Sequence, residues 1–281
     1  MTKESYMIAL DMDGTLLNSK GKITDNTLKV LKRLMDAGHD IVPASGRAFP
    51  ILPEEIKALA GIRYAVLENG AVLWDWRKQT PICSSRLPKG AAQEILSYVR
   101  TEYPDTRYYT EVMADGIVWA EEADLPFYEH ADVEGNFAEY MLKDHAFARD
   151  LHERTDILQK TEKINLYFED REKSVVLRAH WAKRQDVCVT TSVSGNAEFN
   201  VAGVNKGRGL SQLCERLGRG CEYVIAVGDN ENDAEMLEWA GISAAMGNAA
   251  EAVKKKARYV TEDNDHDGAV AFLQRMLLCR E

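Results

Sequence analysis

Two rhythms of apolar and polar positions divide this chain. In the first, short runs that are apolar throughout alternate with longer stretches in which apolar residues recur every three or four positions. Met7–Leu10, Ile41–Ala44 and Tyr64–Leu67 are runs of the short kind. They are too brief for helices, and their lack of polar alternation predicts strands buried on both faces, as in a parallel sheet. Between the first two, Leu28, Leu31, Leu34 and Met35 share one helical face, with Thr24 as N-cap and Gly38 as stop. Pro43 has no amide hydrogen and sits badly in a central strand, so the ladder should be interrupted there. After the third run, Asn69-Gly70 predicts a turn into Val72–Trp74 with a return near Pro81–Cys83, a hairpin leaving the sheet.

The second rhythm begins near Leu87-Pro88. A helix is expected at Ala91–Thr101, strands near Tyr108 and Val118, a helical acidic stretch around Glu129–His152 and a strand at Ile164–Phe168. A helix near Glu172–Trp181 and strands at Val187–Ser192 and Ala197–Val201 follow. That order lacks the regular strand-helix alternation and reads as a separate α+β unit. The first rhythm then resumes with a helix at Lys206–Leu217, an apolar strand at Tyr223–Val227 and a helix at Asn232–Ala240. A strand at Ile242–Met246 and helices at Ala249–Lys256 and Gly268–Leu278 close the chain. The expected fold class is α/β: a Rossmann-like parallel-sheet core of residues 1–85 and 201–281, with an α+β domain of residues 86–200 inserted.

A length of 281 residues suffices for both parts. Composition narrows the partners: with 28% charged residues and a formal net charge of -10, no broad basic face is available for nucleic acid or an anionic membrane. An anionic substrate would need local positive charge. No run approaches the roughly 18 apolar residues of a membrane-spanning helix, and Lys3 and Glu4 before the first strand do not form a signal peptide, so a cytoplasmic location is expected. Cys83, Cys188, Cys214, Cys221 and Cys279 are scattered without any C-x-x-C spacing and are expected to be reduced, mostly buried thiols.

Candidate chemistry concentrates where the apolar runs end. Asp11, Asp13, Gly14 and Thr15 follow the first, Ser45-Gly46-Arg47 the second, and Gly228-Asp229-Asn230-Glu231-Asn232-Asp233 the run ending at Val227. In open α/β sheets ligands bind outside the carboxyl ends of the strands. Asp11 and Asp13, two apart, leave the strand pointing the same way and repel unless a cation or a proton sits between them, and two acidic strand ends facing each other can form one site of oxygen ligands that suits Mg²⁺. The Ser45 hydroxyl, the Gly46 N–H and the Lys206 ammonium, flanked by Asn205 and Gly207, are groups that hold a phosphoryl group.

These four motifs, in this order, resemble the haloacid-dehalogenase-like phosphohydrolases, most closely their Cof-like (sugar-phosphatase) branch, which inserts a large cap after the third core strand. The resemblance covers both core segments and reaches the cap only by position and length. It implies that Asp11 attacks phosphorus to form an aspartyl phosphate, while Asp13 protonates the leaving oxygen and later activates water. It also implies Mg²⁺ held by the Asp11 carboxylate, the Asp13 carbonyl and the Asp229 carboxylate, with Asp233 in support. Ser45, Gly46, Asn232 and Lys206 would grip the phosphoryl oxygens. Ser45 stands where the branch more often has Thr, and the contact made by Arg47 is open.

Each residue also has a plainer role. Asp11 and Asp13 could be solvated acids at a strand end, Ser45 a helix cap, Asn232 a turn residue and Lys206 an ordinary helix-start lysine, though a cation near a helix N-terminus is disfavoured unless an anion faces it. Asp263-Asn264-Asp265-His266-Asp267-Gly268 matches the front of a calcium loop, but Gln274 stands where the bidentate Glu belongs. An acidic first turn for the last helix is the expected role. The implied activity is Mg²⁺-dependent hydrolysis of small phosphorylated metabolites resembling sugar phosphates. A phosphomutase using the same aspartate and a non-catalytic phosphate sensor are the alternatives, and oligomeric state is not legible.

Overall fold

The computed structural model describes residues 5–125, 144–192 and 194–278. Contacts divide the chain into two compact units. One comprises the chain up to Gly46, Leu52–Cys83 and the chain from Asn205 onward; the other comprises Arg47–Ile51 and Ser84–Val204.

The first segment runs β1 (Met7–Leu10), α1 (Asp25–Asp36), β2 (Asp40–Pro43), a short α2 (Glu54–Lys57), β3 (Tyr64–Leu67), β4 (Val72–Asp75) and β5 (Thr80–Ser84). All four residues of β1 are fully buried, as an apolar strand between two parallel neighbours should be. Thr24 caps α1 by accepting the Thr27 N–H, and Gly38 leaves the helix with φ 93°. The effect of Pro43 is one-sided. The Asp40 and Ala44 N–H groups donate to Tyr6 and Leu10, so the even-numbered amides of β2 face β1 and pairing there continues to Pro43. The missing hydrogen therefore falls on the β3 side, where pairing shrinks to an isolated Ala44–Val66 bridge. β3, β4 and β5 form their own three-stranded sheet.

The second unit contains α3 (Ala91–Glu102), β6 (Tyr108–Ala114), β7 (Ile117–Glu121), β8 (Ala146–Ala148), α4 (Thr155–Leu158), β9 (Thr161–Phe168), α5 (Arg171–Trp181), β10 (Val187–Thr190) and β11 (Asn196–Val201). Its six strands are ordered β10-β11-β9-β6-β7-β8. One sheet face supplies Val112, Ile164, Leu166 and Phe199 to an apolar core with Ile95, Val99, Leu177 and Trp181. The opposite face is polar yet buried: Glu111, Asn165 and Glu198 occupy one row across three strands. Lys163 lies 3.1 Å from Glu198, and Asn165 donates to Glu111 at 3.0 Å. Buried charges persist when paired in this way.

The helix expected around Glu129–His152 lies mostly outside the described residues, and its described end is a strand and a turn, with only a short 3-10 helix at Leu151–Glu153. Ala146–Ala148 pairs in parallel with Trp119–Glu121, and Asp150 turns the chain at φ 49°. The Glu121 carboxylate then accepts the Asp150 and Leu151 N–H groups, so strand pairing and a side-chain acceptor take the amides that a helix would have used.

The last segment runs α6 (Lys206–Leu217), β12 (Val224–Gly228), α7 (Ala234–Trp239), β13 (Ile242–Ala245), α8 (Glu251–Lys254), β14 (Tyr259–Val260) and α9 (Gly268–Leu273), which continues as a wider turn over Gln274–Leu278. The five-stranded parallel sheet has the order β14-β13-β12-β1-β2. The chain thus departs from β1 in opposite directions, to β2 on one side and β12 on the other, and the carboxyl ends of β1 and β12 lie side by side.

Two expectations need correction. Among the described cysteines only Cys214 is buried, Cys83 and Cys188 are half-buried and Cys221 is exposed; Cys279 lies outside the described residues. The acidic turn before α9 does not cap that helix with a side chain. Asp267 instead accepts from Thr24 Oγ1, Asn26 Nδ2 and Thr27 Oγ1 at 2.7, 2.8 and 3.1 Å, tying the start of α9 to the start of α1. No helix among the described residues is long and apolar enough to cross a membrane. Asp267 sits at φ 54°, so Asp267→Gly keeps the backbone and deletes the tie. A stability loss of about 1–3 kcal/mol in urea denaturation is expected, against less than about 0.5 kcal/mol for Lys29→Ala on the exposed face of α1.

Candidate active site

The β1–β12 register aligns Leu10 with Val227, and the Asp11 N–H continues the ladder to the Val227 carbonyl at 3.1 Å. Asp11 and Asp229 therefore leave adjacent strands at nearly the same level. Gly14 lets the chain fold back beside them: it has φ +80°, and a Cβ there would lie 2.3 Å from Asp229 Oδ2. Thr15 Oγ1 donates to Asp229 Oδ1 at 3.0 Å. Asn248 Nδ2 donates to the Gly14 carbonyl at 2.9 Å and to Asp229 Oδ2 at 3.3 Å.

Lys206 opens α6, whose N-cap Asn205 accepts the Arg208 N–H at 2.7 Å. Its ammonium is fully buried and donates to Asp11 Oδ1 at 2.5 Å and Asp233 Oδ1 at 2.6 Å. Asp233 Oδ2 accepts the Asp229 and Asn230 N–H groups at 2.9 and 3.0 Å. Asp233 is thereby committed to holding Lys206 and the turn. Ser45 is fully buried, with its N–H on the Val66 carbonyl and its own carbonyl accepting the Asn69 N–H. Asn232 Nδ2 donates to Asn69 Oδ1 at 3.1 Å.

Of the residues singled out from the sequence, Asp11, Lys206, Asp229 and Asp233 form one cluster, and Ser45 and Asn232 are joined through Asn69. Asp13 and Gly46 are half-buried, one beyond Asp11 and one beyond Ser45, and Asp13 lies outside the carboxylate group. The sequence reading missed Asn69 and Asn248. Asn248 follows a parallel strand by three residues, the placement that marked the other polar groups, whereas Asn69 carried only a turn signal.

Oxygens of Asp11, Asp229 and Asp233 all lie within 4.8 Å of one another. Burial, then the neighbouring Asp233 carboxylate, pushes Asp11 well above the usual carboxylate range, although Lys206 acts the other way. The same two causes raise Asp229 to about 7. Burial works against the Lys206 charge, but Asp11 and Asp233 outweigh it and hold the group above an ordinary lysine, so it remains an ammonium. Fully ionised, three carboxylates against one ammonium would carry a buried excess of negative charge, which protons relieve in the raised Asp11 and Asp229 and which a cation would relieve by displacing them; the donors are all oxygen. That donor set fits a hard divalent cation.

A carboxyl that holds its proton more tightly when folded costs stability from the unfolded carboxylate range up to the folded value, here about 7. In chelator-treated protein, Asp229→Asn should therefore be more stable than wild type near pH 7.5, with the difference closing toward about pH 4. Urea midpoints across that range check the sign, and a wild type more stable throughout would contradict it.

A family profile described as haloacid dehalogenase-like hydrolase matches residues 8–273. The chain is 27% identical over 272 residues to 5-amino-6-(5-phospho-D-ribitylamino)uracil phosphatase YcsE of Bacillus subtilis, covering 97% of this chain and 96% of that protein. It is 27% identical over 280 residues to pyridoxal phosphate phosphatase YbhA of Escherichia coli, covering 97% and 98%. A solved haloacid dehalogenase-like hydrolase from B. subtilis superposes with a TM-score of 0.82 at 28% identity, covering 97% of this chain and all of the other. The match spans both core segments and the insertion alike, and the acidic strand ends occur in the order that the motifs require; this chain belongs to the haloacid dehalogenase-like hydrolases, in the Cof-like branch that its sequence resembles.

Proposed function

We propose that this chain hydrolyses phosphate monoesters of small, sugar-phosphate-like metabolites with Mg²⁺ through an aspartyl-phosphate intermediate on Asp11. At the coarser level it is a phosphoric monoester hydrolase. The observation that carries the finer reading is the buried Asp11 carboxylate, held by Lys206 beside Asp229 and Asp233 in a cluster with a surplus of carboxyl groups. Such a group is oriented, desolvated and in need of a cation, which suits a nucleophile better than a structural acid.

In this reading the Asp11 and Asp229 carboxylates and the Asp13 carbonyl would hold Mg²⁺, with Asp233 in support, and the ion would supply positive charge against the carboxylates and the phosphoryl oxygens. Lys206 orients Asp11 and offers its charge to the phosphoryl group, while Ser45, the Gly46 N–H and Asn232 hold the remaining oxygens. An Asp11 oxygen forms the bond to phosphorus as the ester P–O bond breaks, and Asp13 gives its proton to the departing oxygen. Asp13, now a carboxylate, takes a proton from water as that water attacks phosphorus, which frees Asp11 and releases phosphate. The inserted residues 86–200 hold none of these groups, and we assign them to choosing the leaving group. The two relatives above, at equal identity, are named for different leaving groups, so similarity alone does not choose one.

Asp11→Asn should lower phosphate release by more than about a thousandfold with an unchanged fold, since the amide fills the same volume but is no nucleophile. Release within tenfold of wild type would reject the assignment, and an isomeric product formed without release would identify a phosphomutase. Asp13→Asn should lose far more on an alkyl than on an aryl phosphate, because the aryl leaving group needs less protonation; equal losses would remove Asp13 as the acid. Mg²⁺ should support turnover and Ca²⁺ inhibit it, because the looser, larger coordination of Ca²⁺ can engage both Asp11 oxygens. Steady-state rates with each ion after chelation decide this.

A further inference from the structure

Three consecutive residues between β3 and β4 adopt left-handed backbone conformations: Glu68 (φ 55°), Asn69 (φ 59°) and Gly70 (φ 95°). Two of them are not glycine, and all three are buried. A buried turn of this kind persists only where its surroundings over-determine it, and such turns cluster at functional sites.

The surroundings here are the segments that carry Ser45, Asn232 and Lys206. The Asn69 N–H donates to the Ser45 carbonyl at 3.1 Å. Asn69 Oδ1 accepts from Asn232 Nδ2 at 3.1 Å. Gly70 packs so closely on the start of α6 that a Cβ there would lie 2.2 Å from the Asn205 carbonyl oxygen, one residue before Lys206. A Cβ on Gly209, one turn further along α6, would lie 2.9 Å from Gly70 Cα. One turn therefore touches three segments far apart in sequence.

We propose that the Glu68–Gly70 turn sets the phosphoryl-binding groups in register and that Asn69 is the positioning residue for Asn232 and Ser45. The inference rests on the phosphatase reading, in which Asn232 and Ser45 contact phosphoryl oxygens. An asparagine amide has one face that attracts an anion and one that repels it, related by a half-turn of the side chain. With one Nδ2 hydrogen held by Asn69 Oδ1, Asn232 keeps its NH₂ group in place and leaves the second hydrogen for a phosphoryl oxygen. Without that acceptor the amide can turn its carbonyl toward the phosphoryl group. The Asn69 N–H likewise fixes the carbonyl of Ser45, and with it the backbone that carries the hydroxyl and leads to the Gly46 N–H.

Asn69→Gly isolates this role, because glycine accepts the left-handed backbone and keeps the N–H to Ser45 while deleting the acceptor for Asn232. Turnover of a small aryl phosphate and competitive inhibition by inorganic phosphate should be measured for wild type, Asn69→Gly, Asn232→Ala and the double variant. Asn69→Gly is expected to lose on the order of tenfold in kcat/KM and to weaken phosphate inhibition, in a protein that remains folded at the assay temperature. The double variant should be no worse than Asn232→Ala alone, since the two residues act as a unit. Losses that multiply in the double variant, or an Asn69→Gly enzyme with wild-type kcat/KM and phosphate inhibition, would overturn the inference. Asn69→Ser, whose short hydroxyl also removes the acceptor for Asn232, supplies a second readout should the glycine variant unfold: weakened phosphate inhibition that Asn232→Ala does not weaken further supports the pairing, and wild-type inhibition or losses that multiply with Asn232→Ala overturn it. If Asp11→Asn retains turnover the phosphatase reading fails first; if Asn69 and Asn232 prove uncoupled while Asp11→Asn is dead, this inference alone fails.

Discussion

The buried ammonium of Lys206, shared between Asp11 and Asp233, is the interaction on which the rest of the site depends. It joins the end of β1 to the turn after β12 from a third element, α6, and it sets a positive charge against two members of that carboxylate group. Removing one partner from a buried ionic group costs on the order of 3–5 kcal/mol, because the charge left behind has neither water nor counter-ion. The cluster thus stabilises the arrangement only while it is complete. Its surplus of carboxyl groups makes the same cluster receptive to a divalent cation.

Placing that ammonium at the sheet requires α6 to approach unusually closely. A Cβ on Gly207 would lie 2.7 Å from the Glu235 carbonyl carbon on α7, and one on Gly209 would lie 2.7 Å from Val66 Cγ1 on β3. The two glycines after Lys206 thus let the helix start sit against both neighbours, and Gly14 performs the same service between β1 and Asp229. Asp233 adds a further economy, since one oxygen holds Lys206 while the other closes the turn that presents Asp229. The inserted unit follows a different logic. Its sheet buries an apolar face against α3 and α5, and on the other face it satisfies Glu111, Lys163, Asn165 and Glu198 by pairing them with one another and with neighbouring polar side chains. Such a network demands that every member find its partner, which makes it specific in shape as well as polar.

Much of this was legible in the sequence because it is written in local pattern. Apolar runs without polar alternation marked β1, β3 and β12, the spacing of Leu28, Leu31 and Leu34 marked α1, and polar residues just past the strands marked Asp11, Ser45 and Asp229. Pro43 was read correctly as an interruption, but which neighbour loses the bond depends on which way the odd-numbered amides of β2 point, and that is set by pairing. Ala146–Ala148 lay in a stretch read as helical and became an edge strand because Trp119–Glu121 offered it a ladder. Asp267 was read as serving its own helix and instead serves α1, some 240 residues away in sequence.

By itself, then, the sequence determined the α/β class, the strand ends and the kinds of chemical group standing there, since periodicity and motif order are local properties that survive without knowing what packs against what. Tertiary structure alone decided which groups meet. That Lys206 reaches Asp11 across 195 residues, that Asp233 spends its oxygens on Lys206 and the turn, and that Asn69 ties Ser45 to Asn232 all follow from strand order and close glycine-mediated packing. The protonation behaviour of Asp11 and Asp229 belongs to the same category. Burial and a neighbouring carboxylate set it, and both are properties of the assembled fold rather than of any stretch of chain.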